Sequence, residues 1–231
     1  MRTHPAGWEH VPQPFAVAHR AGNSLAGAAD AVAAGADILE ADVWLYRGRL
    51  EVRHEKTLGP LPILWDRWSL STGRQRLDLA SLLDAVDPEI ELLLDLKGYP
   101  GSDPAIAARI AQTMDRQRPG RPFLVCSQNW RLLEAFRPFP AALLVHSIGN
   151  QRQLTRAWRR LEQDDHEAVS IQVRLLNAEI VRALKQRVAT LFTWPINDTG
   201  QVQTVLDWGV DGVTTDRLAI VEQVRAIRDR R

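Results

Sequence analysis

From Phe15 onward, short apolar runs alternate with segments of helical periodicity, and this alternation restricts the possible folds more than any other feature. "FAVAH" (15–19) reads as a strand. "SLAGAADAVAAG" (24–35) reads as a helix, with Ser24 as N-cap and Gly35 as its stop. "ADILEADVWLY" (36–46) is a strand, 47–48 a tight turn and 49–55 a second strand. A Pro- and Trp-containing loop over 59–76 precedes a helix at 77–86 and a strand at 89–97. The pattern then continues as helix 103–117, strand 122–127, helix 129–137 and strand 141–148. Next come helix 150–163, strand 168–172, helix 177–187, strand 188–194, helix 199–208, strand 211–216 and a C-terminal helix.

Strands that alternate with helices argue for βα units and a parallel sheet. A chain of 231 residues is ordinary for one such domain, so the expectation is an α/β protein with a TIM (β/α)8-type barrel, residues 1–231 forming a single domain. Nine strand-like segments stand against the eight of a closed barrel. Either 36–46 and 49–55 form partly a hairpin, or one late segment is not a stave. A doubly wound open sheet is the competitor, but no G-x-G-x-x-G turn follows the first strand.

The polar interruptions of these apolar runs fall near strand C-terminal ends, where a parallel barrel gathers its chemistry. His19-Arg20 closes the first strand, Glu40 and Asp42 sit in the second, His54-Glu55 follows the third, and Asp95-Leu96-Lys97 ends the fourth. Residues i and i+2 of a strand share a face, so Glu40 and Asp42 point the same way. Adjacent carboxylates repel unless a cation separates them. A hard divalent ion, Mg²⁺ or Ca²⁺, would satisfy both, with Asp95 completing a three-carboxylate site. The plainer alternative is an arginine partner, and the placement between apolar runs weighs against it. His19 and His54, beside such a site, fit a general acid and a general base. No H-x-H or C-x-x-C spacing supports zinc. Arg20 and Lys97 add fixed positive charge, which together with a divalent ion makes a site for an anion such as phosphate. His4, His10, His146 and His166 lack such neighbours and read as structural or surface residues.

Other classes are disfavoured. The net charge of +1 offers no global field for nucleic acid, and the basic run 156–160 reads as a solvated helix face. Cys126 is the sole cysteine, so no intrachain disulfide forms. The first fifteen residues carry neither signal-peptide nor anchor character, and no run approaches the roughly 18 apolar residues of a membrane span. The expectation is therefore a cytoplasmic protein without stable membrane insertion.

The order "AHRAGN … ILEADVWLYRGRLEVRHEKTL … LLLDLKG … SQNW … WPIND … GVDGVTTDR" resembles the glycerophosphodiester phosphodiesterase family from about residue 15 to 220. The resemblance implies a TIM barrel that hydrolyses glycerophosphodiesters to glycerol 3-phosphate and an alcohol. It implies His19 and His54 as the acid/base pair, Glu40, Asp42 and Asp95 as metal ligands, and Arg20 and Lys97 as phosphate contacts. Trp194 resembles a family tryptophan near the substrate pocket, and reads equally as an ordinary core or rim aromatic. The family's longer loop after the first His carries a Glu that is missing here, where "RAGNSLAG" leaves Asn23 to take over part of that role. Asp95 in place of the usual Glu is similar to the sphingomyelinase D-like phospholipases, which brings lysophospholipids in as alternative substrates. Trp65 and Trp68 would then lid an apolar leaving group, or else cover the barrel rim. A non-catalytic phosphate-ligand binding protein and a zinc amidohydrolase-like barrel are the readings from other classes. The two histidines argue against the first and their small number against the second.

Overall fold

The structure is a computed structural model that describes residues 11–57, 63–66, 69–71, 76–98, 105–161 and 166–230. Eight parallel strands form the barrel: β1 (Phe15–Ala18), β2 (Ile38–Tyr46), β3 (Glu91–Lys97), β4 (Phe123–Ser127), β5 (Ala142–Ile148), β6 (His166–Gln172), β7 (Val188–Trp194) and β8 (Gly212–Thr215). Each pairs with the next, and β1 pairs with both β2 and β8, which closes the ring. The helices alternate with them: α1 (Leu25–Ala33), α2 (Leu79–Ala85), α3 (Ala105–Gln117), α4 (Trp130–Glu134), α5 (Gln151–Leu161), α6 (Ala178–Lys185), α7 (Thr199–Trp208) and α8 (Leu218–Arg228). The expected α/β barrel is thus the observed fold.

The ninth strand-like segment is resolved as a hairpin. Arg49–Val52 runs antiparallel to the end of β2, with Val43 opposite Val52 and Tyr46 opposite Arg49. Arg47 (φ 49°) and Gly48 (φ 78°) make the turn. Leu77–Asp78, expected as the start of a helix, instead pairs with Glu51 and Val52, and α2 begins at Leu79. The segment expected to be a loop contains short strands, Leu64–Asp66 between Lys56–Thr57 and Ser69–Ser71. Periodicity cannot register runs of two or three residues, which exist because neighbouring strands offer unpaired backbone groups. The helix expected over 129–137 shortens to Trp130–Glu134.

Each β2 face has its own environment. Leu39, Ala41 and Val43 pack outward into the main apolar cluster under the helices, as do Leu94 and Leu96 of β3. Ile38 and Leu93 point inward, with Val17, Leu124, Cys126, Val145 and Phe192, and fill the barrel interior. Glu40 and Asp42 follow Ile38 on this inner face and lie above that plug. Phe15 seals the floor, and Gly212 opposite it admits the ring: a Cβ there would come within 2.3 Å of Phe15. Among the described residues, no helix is long and apolar enough to cross a membrane.

Candidate active site

Glu40 and Asp42 are 3% and 1% exposed, so they are as buried as the leucines beside them. Burying one leucine contributes roughly 1.5–3 kcal/mol. Burying an uncompensated ion costs several kcal/mol. Two such carboxylates would erase the gain from several leucines unless their charges are met.

The strand register explains how they meet Asp95. Asp42 is directly opposite Asp95, and Glu40 opposite Leu93, so all three carboxylates face the barrel mouth. One ligand oxygen from each lies within 4.8 Å of the others. Lys97, opposite Trp44, leans back over them, with its Nζ 2.8 Å from Asp42 Oδ1 and also in contact with Asp95.

The first loop supplies the other partners. After β1 the chain turns through the left-handed region at Arg20 (φ 57°), which costs about 1–2 kcal/mol for a non-glycine residue. This turn lets the Arg20 backbone N–H donate to Glu40 Oε2 at 2.6 Å. Asn23 holds Asp42 at two points: its Nδ2 donates to Oδ2 at 2.7 Å, and its Oδ1 accepts from the Asp42 backbone N–H at 2.8 Å. Its amide therefore orients a carboxylate. The Arg20 Nε is 3.9 Å from Asp42 Oδ2.

The two histidines stand on either side of the carboxylates. His54 Nδ1 is 3.2 Å from Asp42 Oδ2. His19 Nδ1 is 2.6 Å from Asp216 Oδ1, and its Nε2 is 3.9 Å from Glu40 Oε2. Asp216 is itself fixed by Asn197, which donates from Nδ2 to Oδ2 at 2.7 Å and accepts the Asp216 backbone N–H at 3.0 Å. The sequence reading assigned no role to Asp216 or Asn197. The signal for Asp216 was present: it directly follows β8, just as Asp95 lies near the end of β3. Asn197 carried no comparable signal, because it lies in a loop after β7 and meets Asp216 only through the fold.

The electrostatics follow from burial. Burial, and then the charges of Asp42 and Asp95, push the Glu40 carboxyl well above the usual range. Burial also raises Asp95, only partly offset by Lys97. Burial opposes ionisation of Asp42 too, but hydrogen bonds from His54, Lys97 and Asn23 and the Lys97 charge hold it well below the usual range. Burial works to neutralise Lys97, yet Asp95 and Asp42 raise it further and keep it an ammonium. Burial and neighbouring acids push Cys126 up, so it stays a thiol. One ammonium thus faces three carboxylates, and Glu40 is the group left without a full countercharge. A donor set of hard oxygens with an excess of negative charge fits a divalent cation.

Two cavities meet at Arg20. The inner one, about 290 Å³, lies in the barrel mouth against His19, Glu40, Asp95, Lys97, Trp194 and Asp216. Trp194 Nε1 and Thr214 Oγ1 are buried there without a hydrogen-bond partner. The outer one, about 710 Å³, runs along Asn23, His54, Arg53 and Arg76. All nine residues singled out from the sequence (His19, Arg20, Asn23, Glu40, Asp42, His54, Asp95, Lys97, Trp194) therefore gather at one end of the barrel. Trp65 is 37% exposed under the Lys56 ammonium and lines neither cavity. Trp68, His4 and His10 lie outside the described residues. His146 is buried against Trp130, with ring centroids 5.4 Å apart, in keeping with a structural role.

Residues 89–220, more than half of the chain, match the glycerophosphoryl diester phosphodiesterase family. The chain belongs to this family. Members are phosphoric diester hydrolases, and the chain is accordingly an enzyme of that class. The matched span includes Asp95, Lys97, Trp194 and Asp216 but begins after His19, Glu40, Asp42 and His54. Geometry alone therefore joins the N-terminal motifs to the matched part. Among curated proteins, none matches the chain.

Solved structures share the fold of this chain across nearly its whole length. An Oleispira antarctica phosphodiesterase, in complex with the product sn-glycerol-3-phosphate, is 19% identical with a TM-score of 0.75, over 93% of this chain and 97% of its own. A glycerophosphodiester phosphodiesterase from Parabacteroides distasonis is 21% identical with a TM-score of 0.70, over 95% and 98%. One from Thermotoga maritima is 19% identical with a TM-score of 0.70, over 92% and 97%.

Proposed function

We propose that the chain hydrolyses glycerophosphodiesters to glycerol 3-phosphate and an alcohol, using a divalent cation and two histidines. The observation that carries this reading is the distribution of the histidines: His19 lines the inner cavity and His54 the outer one, with the carboxylates and Lys97 between them. A diester whose phosphate lies against Arg20 and Lys97 has one ester arm in each cavity. The inner cavity suits glycerol in size. Gln128, Ser147, Ser170 and Asp216 are polar residues of its lining, partners for a polyol's hydroxyls. The Oleispira relative is in complex with the product sn-glycerol-3-phosphate, which supports glycerol 3-phosphate as the product here.

Roles follow from the two positions. Asp216 engages His19 Nδ1, which leaves Nε2 to take a proton from a nucleophile on the glycerol side, either water or a glycerol hydroxyl. His54 faces the outer cavity and delivers a proton to the departing alcohol oxygen. Asn23 keeps Asp42 oriented, and Lys97 holds charge against the phosphoryl oxygens. Glu40, Asp42 and Asp95 would hold Mg²⁺ or Ca²⁺, which when bound supplies Lewis-acid stabilisation of charge on the phosphoryl group.

The test is turnover of glycerophosphocholine and of a lysophospholipid with Mg²⁺, with Ca²⁺ and with chelator. Chelator-sensitive release of glycerol 3-phosphate from the small diester is expected. Turnover of the lysolipid alone would replace this reading with a phospholipase D-like one. Binding of the diester without turnover, unchanged in His54→Ala, would make the chain a binding protein.

A further inference from the structure

The outer cavity holds more positive charge than a diester's own phosphate requires. Among the described residues, three arginines, Arg20, Arg53 and Arg76, line it against one acid, Glu55. Of these, only Arg20 is near the carboxylates. Arg53, just after the hairpin, and Arg76, just before the strand Leu77–Asp78 that pairs with it, belong to a separate assembly around Glu51.

Arg53 is 5% exposed, although a guanidinium is among the groups least often buried. Its Nε donates to Glu51 Oε2 at 2.8 Å, and Nη1 donates to the Glu55 backbone oxygen. Its Nη2 is buried without a hydrogen-bond partner. The plane is fixed between aromatic rings, 5.0 Å from the Trp44 centroid and 5.9 Å from that of Tyr46. Arg76 shares the same carboxylate, donating from Nη1 to Glu51 Oε1 at 2.8 Å, and lies 5.0 Å from the Tyr46 centroid. Arg20, Arg53 and Arg76 against Glu51 and Glu55 leave a net positive charge, with two of the guanidiniums held rigidly on the Glu51 carboxylate. A buried donor left unpaired is costly, and such groups in native proteins are usually explained by a ligand, an ion or water.

We propose that the outer cavity is an anion subsite, and that it selects glycerophosphodiesters whose leaving alcohol carries a second negative group. This rests on the diesterase reading above and specifies its substrate class. Arg53 lends its charge from behind the wall, its donors being committed or buried, while the half-buried Arg76 presents its guanidinium to phosphate or carboxylate oxygens. The volume of about 710 Å³ accommodates a polyol phosphate as well as a smaller amino-acid alcohol. A quaternary ammonium leaving group would meet like charge in this cavity.

The experiment compares kcat/KM for glycerophosphoinositol 4-phosphate, glycerophosphoserine and glycerophosphocholine in the wild type, Arg76→Gln and Arg76→Lys. Arg76 is partly exposed, and its substitution leaves the Arg53–Glu51 pair in place. The wild type is expected to prefer at least one anionic substrate over the choline ester by about tenfold or more. The preferred arm distinguishes a phosphate from a carboxylate as the recognised group. Arg76→Gln should bring this ratio toward one, and Arg76→Lys should retain much of it. Equal turnover of all three substrates, or an unchanged ratio in Arg76→Gln, would overturn the anion subsite while leaving the diesterase reading standing. No turnover of any substrate would overturn both.

Discussion

His19 Nδ1 and Asp216 Oδ1 are 2.6 Å apart, although 197 positions separate the two residues in the chain. The contact exists because the barrel closes: β1 pairs with β8, and the His19 backbone N–H donates to the Thr215 oxygen at 2.8 Å. Barrel closure and histidine orientation are thus one structural event. Burial works to raise Asp216, but Asn197 and His19 hold its carboxyl below the usual range, so it accepts the imidazole N–H as a carboxylate.

Asp216→Asn is expected to lower kcat by about 100-fold, more than it changes KM, because it disturbs the orientation of His19. In a double-mutant cycle with His19→Ala, the two losses should be strongly non-additive. Full-rate turnover by Asp216→Asn would refute the positioning role.

Metal binding has a readout independent of catalysis. A ligand present at 100 times its Kd stabilises the folded state by about 2.7 kcal/mol. Adding Mg²⁺ or Ca²⁺ should therefore raise the Tm of the wild type, with EDTA reversing the shift. Asp42→Asn should weaken metal affinity by at least about tenfold and reduce the shift at a fixed sub-saturating concentration. Identical thermal shifts in the two proteins would remove Asp42 from the ligand set.

The floor of the barrel makes a packing prediction. An alanine at Gly212 places its Cβ 2.3 Å from two carbons of the Phe15 ring, which is 1% exposed and has little room to withdraw. Overpacking of this kind costs about 1–3 kcal/mol, and each kcal/mol lowers Tm by about 2–4 °C in a domain of this size. Thermal denaturation of Gly212→Ala should show that loss, with Phe15→Leu partly relieving it. An unchanged Tm would mean that the floor is looser than the packing indicates.

Asp78 links stability to pH. It caps α2 by accepting the Ser81 N–H at 2.8 Å, and Arg49 lies 3.2 Å away. The Ser81 hydrogen bond is the main cause that holds its carboxyl below the usual range. A depressed carboxylate contributes stability above its unfolded pKa of about 3.9, and that contribution is lost as pH falls through the lower folded value. Asp78→Ala should cost about 1 kcal/mol at pH 7. The difference from wild type should shrink below about pH 4. Urea denaturation at pH 7 and pH 3 measures both, and a difference that does not vary with pH would exclude the ionised cap.

The elements that were legible in the sequence are those whose signal is local. "EIELLLDLK" reads as a buried strand because Leu92, Leu94 and Leu96 make one face apolar toward the helices and Leu93 joins the interior plug, before Asp95 and Lys97 carry the inner face into the site. The i, i+2 spacing was enough to put Glu40 and Asp42 on one face. What stayed hidden was non-local. Nothing local in the sequence says that Trp44 and Tyr46 on the partner strand of the hairpin would bury Arg53. The short strands around residue 65 escaped notice because two- and three-residue ladders carry no periodicity.

By itself, the amino-acid order determined the βα rhythm, the one-domain barrel and the placement of Glu40 and Asp42 on one common face. Those properties follow from backbone geometry and burial within single elements, each of which is written in consecutive residues. Only the tertiary structure decided which residues share a proton, a charge or a cavity. His19 found Asp216 through ring closure, Asp42 found Asn23 through the left-handed turn at Arg20, and Arg53 and Arg76 found Glu51 through the hairpin. Such pairings depend on strand register and on distances between atoms far apart in the chain.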